Sequence, residues 1–277
     1  MLILTKFKPF KSSQEALIIN SIGKLKMKTA LITGASAGIG KALAYQFAQQ
    51  GFNLILVARR QEALEQIKQD LESRYSIQVE NRIFDLAVTG QAAELYEAVK
   101  PHHIDVWINN AGFGDYDLAW DADLSKVMNM VDLNVRALTD LSLRYIKDYV
   151  DEDAVLINVS SVGGYAEVDV AIPYCATKFY VSSFTEGVDF SLRTQGKKLR
   201  AKVLAPAGTQ SEFHNVAADG SGIDINELYN GAVLMTAEQL AENVYQLYLS
   251  DKTVGMVNAE NEFELKDAIF PQVALLN

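Results

Sequence analysis

Tyr174 and Lys178 are the two residues of this chain whose types and spacing are best suited to proton transfer. Residues 179–184 include neither glycine nor proline, so the segment can be helical, and residues four apart then lie on one helix face. A phenol with a pKa of about 10 is a poor base at neutral pH, and a neighbouring ammonium favours its ionised form. The pair can therefore donate and accept a proton, although the same spacing also occurs by chance on solvated helix faces.

The chain around this pair alternates between apolar runs and helical patterns. A buried strand at 29–33 leads into a glycine-rich turn, a helix that ends at Gly51, and a second strand at 53–58, which together form a β-loop-α-β unit. Further helices are predicted at 63–75, 89–99, 124–149 and around Tyr174 to about Gly196, and further strands at 77–84, 104–108, 154–159 and 199–205. This alternation predicts an α/β fold, a single doubly wound parallel sheet (Rossmann fold) with helices on both faces.

Composition argues against several classes of protein. The 277 residues carry a net charge of −10, with 49% hydrophobic and 22% charged residues, as is ordinary for a globular protein. The chain has neither the apolar run of ~20 residues that spans a bilayer nor a Lys/Arg stripe, so we expect no membrane and no nucleic-acid partner. A single cysteine allows no internal disulfide and indicates a reducing, cytoplasmic location. The three histidines lack metal-site spacing, so we expect no metal.

Two segments differ from the rest. Residues 1–26 hold five lysines and one glutamate, and Met27 directly precedes the first strand. We therefore predict that Met27 is the natural start, that 1–26 is an upstream translation or a loose arm outside the native fold, and that 27–277 is the Rossmann-fold domain. An ordered extra strand or arm is the alternative. The intact mass of the native protein tests the predicted start, and a mass that includes residue 1 would contradict it. Residues 211–234 lack clear periodicity and contain glycines, which predicts a substrate lid, with an ordinary surface loop as the alternative. Thr236 and Gln239 then form the capping box of a helix that runs through Leu249.

Three glycines, at 34, 38 and 40, join the first strand to the next helix. Gly34 permits a tight turn, and the other two let the backbone and the helix N-terminus approach a pyrophosphate, where N–H groups and the helix dipole favour an anion. Followed in order by Asn109-Asn110-Ala111-Gly112, Ser161 and Tyr174-x-x-x-Lys178, this motif resembles the short-chain dehydrogenase/reductase family in its compact single-domain form, over about residues 27–258.

The resemblance implies a nicotinamide dinucleotide cofactor, and the end of the second strand points to NADP(H). NAD-preferring members place an acidic residue where this chain has Ala58, whereas a guanidinium can bind a 2′-phosphate in bidentate fashion. We assign Arg59 as the main phosphate contact, with Arg60 and Ser36 as helpers; a solvated surface arginine is the alternative for Arg60. The other cofactor-binding residues that the resemblance implies are Gly34, Gly38, Ile39, Gly40, Asp85, Leu86, Asn110, Ala111, Gly112, Tyr174, Lys178, Pro206, Gly208 and Thr209, with the glycine at 208 displaced by one position from the family pattern.

The resemblance also implies a catalytic set of Asn134, Ser161, Tyr174 and Lys178. In this set Ser161 orients the substrate carbonyl, Tyr174 donates the proton, and Lys178 lowers the pKa of Tyr174 and binds the nicotinamide ribose. Asn134 holds a water that supplies the proton through Lys178. Ser160 is the competing serine and is interpreted as structural. Charge then develops on one oxygen, where prepositioned donors meet it.

The predicted function is NADPH-dependent reduction of a ketone or aldehyde to an alcohol. The alternatives are an alcohol dehydrogenase that acts in the oxidative direction, and a cofactor-binding sensor or interaction protein on the same fold. Phe113, Tyr165, Val168, Ile172 and Phe213 predict an apolar group beside the carbonyl of a small-molecule substrate. The family resemblance implies a homodimer or homotetramer. We expect Cys175 to be a small buried hydrophobe. For His214, in the predicted lid, we expect a surface histidine, with contact to the substrate as the alternative.

Overall fold

A computed structural model describes residues 27–221, 223–224 and 234–275 of the chain. The predicted extension at 1–26 and residues 222 and 225–233 of the predicted lid lie outside the described residues, as do 276–277.

The described residues contain an eight-stranded sheet. Its strands are β1 (Thr29–Thr33), β2 (Asn53–Ala58), β3 (Val79–Ile83), β4 (Val106–Asn109), β5 (Val155–Val159), β6 (Arg200–Ala205), β9 (Val254–Val257) and β10 (Phe263–Lys266). Their order in the sheet is β10-β9-β6-β5-β4-β1-β2-β3. All neighbouring strands pair parallel except β10, which pairs antiparallel with β9. Two further short strands, β7 (Thr209–Gln210) and β8 (Met235–Thr236), pair with each other beside this sheet.

Helices cover both faces of the sheet, so the central strands are buried on both sides and are mostly apolar. The helices are α1 (Gly38–Gln49), α2 (Gln61–Arg74), α3 (Gln91–Val99), α4 (Leu124–Val131), α5 (Leu138–Tyr149), α6 (Ile172–Thr194), α7 (Phe213–Ala218) and α8 (Ala237–Leu249). One core packs α1, α2 and α8 against the sheet, and the other packs α3 and α5 against its opposite face. The predicted doubly wound α/β fold is therefore confirmed.

The strand order places β1 between β2 and β4, so the connections after β1 and β4 leave the sheet in opposite directions. In open α/β sheets, ligands bind in the crevice that opens at the carboxyl ends of the strands at such a point. The predicted site residues follow strands β1 to β6 in the chain, so this topology brings them to one edge of the sheet.

Several local features differ from the sequence-based expectations. The helix expected over 124–149 is interrupted by a π-helical turn at Asp132–Ala137. Residues 213–218 form a short helix, α7, within the segment that we expected to lack periodicity. Strands β9 and β10 were not predicted. Among the described helices, none is both long enough and apolar enough to cross a membrane.

Candidate active site

A cleft of about 580 Å³ opens at the carboxyl edge of the sheet. It is lined by all of the predicted cofactor-binding residues and by three of the four predicted catalytic residues: Gly34, Ser36, Gly38, Ile39, Gly40, Arg59, Arg60, Asp85, Leu86, Asn110, Ala111, Gly112, Ser161, Tyr174, Lys178, Pro206, Gly208 and Thr209. A volume of this size falls in the range of natural ligand sites. Asn134 is the predicted residue that does not line it.

The loop after β1, residues 34–40, is packed too closely for side chains at two of its glycines. Gly34 has a φ of +68°, and a Cβ there would lie 2.9 Å from Ala111 Cα. A Cβ on Gly40 would lie 2.2 Å from the carbonyl oxygen of Gly34. The first turn of α1 follows Ala37, whose methyl side chain cannot cap it, so backbone N–H groups at this helix N-terminus are available for an anion.

Asn110 holds this loop against β4. Its Nδ2 donates to the carbonyl oxygen of Thr33 at 2.9 Å, while Thr33 Oγ1 accepts from the backbone N–H groups of Asn110 and Ala111, both at 3.0 Å. The side chain of Asn110 is therefore committed to the loop. Asn109, its neighbour, lies in a buried network with Asn158 and Ser142, so it stabilises the sheet beneath the cleft.

Charged side chains are concentrated at the far end of the cleft, beyond β2. Arg60 Nε donates to Ser36 Oγ at 3.1 Å, and its Nη1 lies 3.0 Å from Glu212 Oε2. Arg59 Nη1 lies 3.6 Å from Asp85 Oδ2. The two arginines are more than half exposed, so each ion pair contributes little and can exchange its carboxylate for another anion.

Tyr174 and Lys178 lie on successive turns of α6, as their spacing predicts. Lys178 Nζ is 5.7 Å from the centre of the Tyr174 ring and donates to the carbonyl oxygen of Val159 at 2.9 Å. Because the ammonium is buried, desolvation lowers the pKa of Lys178 to about 8, since burial disfavours the charged form. At neutral pH the group is still largely protonated and provides a positive charge beside the phenol.

Ser161 reaches the same point from the end of β5. Its Oγ accepts from Gly163 N–H at 3.0 Å. A Cβ on Gly163 would lie 3.4 Å from Ser161 Oγ and 3.7 Å from Tyr174 Cε1, so the hydroxyl and the phenol ring flank one small space. Ser160, by contrast, donates to Lys178 O at 2.9 Å and lies 2.7 Å from Ser182 Oγ, in keeping with its structural interpretation.

Asn134 lies on the π-helical turn, behind the lining of the cleft. Its Nδ2 donates to Phe113 O at 2.9 Å and to Thr177 Oγ1 at 3.2 Å, and its Oδ1 accepts from Phe113 N–H. A Cβ on Gly112 would lie 2.9 Å from Asn134 Oδ1 and 3.6 Å from Lys178 Nζ. The turn therefore brings the amide close to Lys178, as π-bulges often do at functional sites, and its contact with a water stays a prediction.

Helix α7 covers the half of the cleft that lies beyond Tyr174. The Phe213 ring is 5.5 Å from the Tyr174 ring, centre to centre, and a Cβ on Gly114 would lie 2.7 Å from Phe213 Cζ. Our expectation for His214 was wrong: the side chain is buried, and its Nδ1 lies 3.0 Å from Tyr116 Oη. The i, i+3, i+4 spacing of Phe213, Val216 and Ala217 is the signal that would have predicted this helix.

Cys175 is buried, as expected, and lines the cleft beside Tyr174. Burial raises the pKa of its thiol, so it is less nucleophilic than an ordinary cysteine at neutral pH.

Comparison with known proteins agrees with this geometry. A family model described as short chain dehydrogenase matches residues 28–221. Sulfoacetaldehyde reductase of Chromohalobacter salexigens is 31% identical over 78% of this chain and 86% of its own length. The NADP-dependent 3-hydroxy acid dehydrogenase of Schizosaccharomyces pombe is 29% identical over 80% of this chain and 86% of its own.

Two solved structures extend the agreement. A short-chain dehydrogenase from Sphingobium yanoikuyae in complex with NADPH superposes with a TM-score of 0.73 and 28% identity, over 82% of this chain and 86% of its own. A closed form of serine dehydrogenase complexed with NADP+ superposes with a TM-score of 0.71 and 26% identity, over 80% of this chain and 89% of its own.

Proposed function

The chain belongs to the short-chain dehydrogenase family and is a nicotinamide-dependent oxidoreductase, and on that premise we propose that it uses NADPH to reduce a small-molecule carbonyl compound to an alcohol. The observation that carries the proposal is the meeting of Ser161, Tyr174 and Lys178 in a cleft whose far end holds two arginines. The cleft thus offers a proton donor at one end and a phosphate anchor at the other.

The residues present fit a dinucleotide. The glycines of the loop at 34–40 have no side chains, so a ligand can approach the backbone closely there. The N-terminus of α1 provides N–H groups for the pyrophosphate. At the far end, β2 finishes at Ala58 instead of a carboxylate, and Arg59 and Arg60 follow it. We infer that these two guanidiniums, with Ser36, hold the 2′-phosphate of NADP(H).

When bound, the nicotinamide supplies the hydride that reduces the carbonyl carbon. Ser161 Oγ already accepts from Gly163 N–H, which favours donation of its own proton to the substrate carbonyl oxygen. Tyr174 donates its hydroxyl proton as charge develops on that oxygen. The buried ammonium of Lys178 stabilises the phenolate that remains.

We assign Asn134 a positioning role in this scheme. Its amide holds Phe113 by both backbone groups and also reaches Thr177, one residue before Lys178. It therefore joins the loop after β4, which lines the cleft, to the helix that carries Tyr174 and Lys178. A water held between this amide and Lys178 would supply, through Lys178, the proton that Tyr174 has donated.

The oxidative direction is the second candidate, because three of the four similar proteins described above are named as dehydrogenases. The same residues can catalyse this direction, in which the phenolate form of Tyr174 accepts the hydroxyl proton of the alcohol. A cofactor-binding sensor is less well supported, since a protein that only binds has no need for Ser161, Tyr174 and Lys178 together.

A turnover screen distinguishes the carbonyl reductase, the alcohol dehydrogenase and the cofactor-binding sensor. The protein is mixed with NADPH or NADH and a panel of aldehydes and ketones, and in parallel with the oxidised cofactors and the matching alcohols, while cofactor absorbance is followed. We expect consumption of NADPH with several carbonyl compounds and a slower reaction with NADH. Cofactor binding without turnover in either direction would favour the sensor. A light-scattering measurement on the same sample tests the proposed homodimer or homotetramer.

A further inference from the structure

Beyond Ser161 and Tyr174 the cleft has a second half, which we call the substrate-side lining. Its residues are apolar or uncharged: Phe113, Tyr116, Val162, Gly163, Val168, Ala171, Cys175, Phe213, His214 and Val216. Val168 is 40% exposed and Val216 is 48% exposed, so apolar side chains continue from the interior to the solvent at the mouth. A carbonyl compound that enters here meets hydrocarbon on its way to Tyr174.

The charged residues that line the whole cleft are Arg59, Arg60, Asp85, Lys178 and Glu212, among the residues that the structure describes. Four of these form the two ion pairs at the far end. Lys178 is 5% exposed, with its Nζ bonded to Val159 O. The described part of the chain therefore offers no cation on the substrate-side lining itself.

Two groups near this lining could be taken for cations, and neither supplies a free charge. Lys126 Nζ lies 2.8 Å from the buried Asp115 carboxylate and also donates to the carbonyl oxygens of Ala217 and Asp219. It closes the end of α7 and is neutralised there. Burial lowers the pKa of His214, which keeps the imidazole neutral at pH 7, beside Tyr116 Oη.

The described lining residues on this side belong to three segments whose sequences are acidic. Residues 113–123, 162–171 and 211–234 contain no lysine and no arginine. Asp115 and Glu212 are paired with Lys126 and Arg60. The described residues of these segments include seven further acidic residues: Asp117, Asp121, Asp123, Glu167, Asp169, Asp219 and Asp224. These segments therefore carry a net negative charge, in a chain whose net charge is already −10.

We propose that the substrate is an uncharged carbonyl compound with an apolar substituent, and that this cleft rejects carbonyl compounds bearing a carboxylate or sulfonate. The proposal rests on the proposed carbonyl reduction and narrows it. An anion in an apolar lining loses its hydration without gaining a cationic partner, and the acidic segments repel it during approach. By this proposal the substrate of this chain differs from those in the names of two relatives, sulfoacetaldehyde and a 3-hydroxy acid, because both of those compounds carry an anionic group.

Three aldehydes that differ in a single substituent test the charge directly. They are para-formylbenzamide, methyl para-formylbenzoate and para-formylbenzoate, assayed with NADPH and compared by kcat/KM. The amide is the matched control, because it has nearly the shape and polarity of the carboxylate without its charge. We expect the amide and the ester to exceed the acid by about 100-fold or more, since an uncompensated buried charge is penalised far more than a neutral polar group.

The salt dependence supplies a second readout. Raising the ionic strength screens the repulsion between the carboxylate of the acid and the acidic segments. The kcat/KM for the acid should therefore rise with salt, while the kcat/KM values for the amide and the ester stay constant. Equal kcat/KM for acid and amide, with no salt effect on the acid, would overturn the charge selectivity and leave carbonyl reduction standing. Reduction of none of the three, with NADPH or NADH, would count against the proposed function and the inference together.

A variant that adds a positive charge tests whether the absence of a cation on the lining causes the selectivity. Val168→Lys places an ammonium at the exposed edge of the lining, where the side chain reaches solvent and folding is not at risk; Val168→Gln controls for length and polarity. We expect Val168→Lys to raise the acid-to-amide ratio of kcat/KM by at least about tenfold over Val168→Gln, as one unit of local charge can do in a partly desolvated site. The same ratio in both variants would show that charge on this lining does not set the selectivity.

Discussion

Removal of the Lys178 ammonium should change how the stability of the fold depends on pH, while it abolishes turnover. The group is buried, its Nζ donates to Val159 O, and burial lowers its pKa from 10.5 to about 8. A shift of that size corresponds to roughly 3 kcal/mol that the folded chain loses by holding the charged form below about pH 8. Lys178→Met removes this penalty and retains most of the side-chain volume.

The hydrogen bond to Val159 O is lost at the same time, and an unpaired buried carbonyl costs about 1–3 kcal/mol. The net change at neutral pH is therefore small, and the pH dependence is the sharper quantity. The pKa of Lys178 is lower in the folded chain than in the unfolded chain, so between about pH 8 and 10.5 the unfolded chain binds more protons. Wild-type stability must then rise with pH through that window.

Urea unfolding of both proteins at about pH 7 and about pH 9.5 measures this. The free energy of unfolding of the wild type should gain about 2 kcal/mol relative to Lys178→Met between the two conditions. Lys202→Met is the matched control, because Lys202 is also buried with a pKa lowered to about 8 but donates to the carbonyl oxygens of Ser250 and Lys252, away from the cleft. That variant should show the same pH effect on stability and keep NADPH oxidation. Parallel pH curves for wild type and Lys178→Met would refute the desolvation of Lys178.

Three other perturbations have defined outcomes. Glu212→Gln should tighten NADPH binding by up to about fivefold in a fluorescence titration and leave NADH unchanged, because an exposed ion pair of about 0.2–1 kcal/mol no longer competes for Arg60; weaker NADPH binding would contradict this. Gly40→Ala should weaken both cofactors at least about tenfold, because its Cβ has no space in the loop, whereas Gly187→Ala, in open space on α6, should leave Kd unchanged and stabilise the helix by about 0.5–1 kcal/mol. Glu186→Gln should lower the free energy of unfolding by about 1–3 kcal/mol, because its buried carboxylate accepts two backbone N–H groups of the C-terminal segment; an unchanged urea midpoint would count against it.

The sequence predicts the fold and the position of the cleft because several local signals agree. The apolar run of β1, the glycines after it and the helical repeat of α1 each point to the same β-loop-α unit, and the structure has it at those residues. The capping box is confirmed as well: Thr236 Oγ1 accepts from Gln239 N–H, and Gln239 Oε1 accepts from Thr236 N–H. Such motifs are local, so a single sequence is enough to predict them.

The features that escaped prediction depend on contacts between distant segments. The π-helical turn at Asp132–Ala137 leaves no trace in the periodicity of 124–149, since it is coupled to the hydrogen bonds of Asn134 with Phe113 and Thr177. Burial of His214 requires Tyr116, which is 98 positions away. The ion pairs of Arg60 with Glu212 and of Arg59 with Asp85 likewise join residues whose proximity exists only in the folded chain.

Proton donation by Tyr174 is the central step of the proposed mechanism, and Tyr174→Phe tests it most directly. The substitution removes one oxygen and keeps the ring that packs against Phe213. We expect kcat for NADPH oxidation with para-formylbenzamide to fall by about 100- to 10,000-fold, the usual contribution of a general acid, while the Kd for NADPH stays within about twofold of the wild-type value. Turnover of Tyr174→Phe at the wild-type rate would contradict the assignment of Tyr174, and with it the mechanism proposed for this cleft.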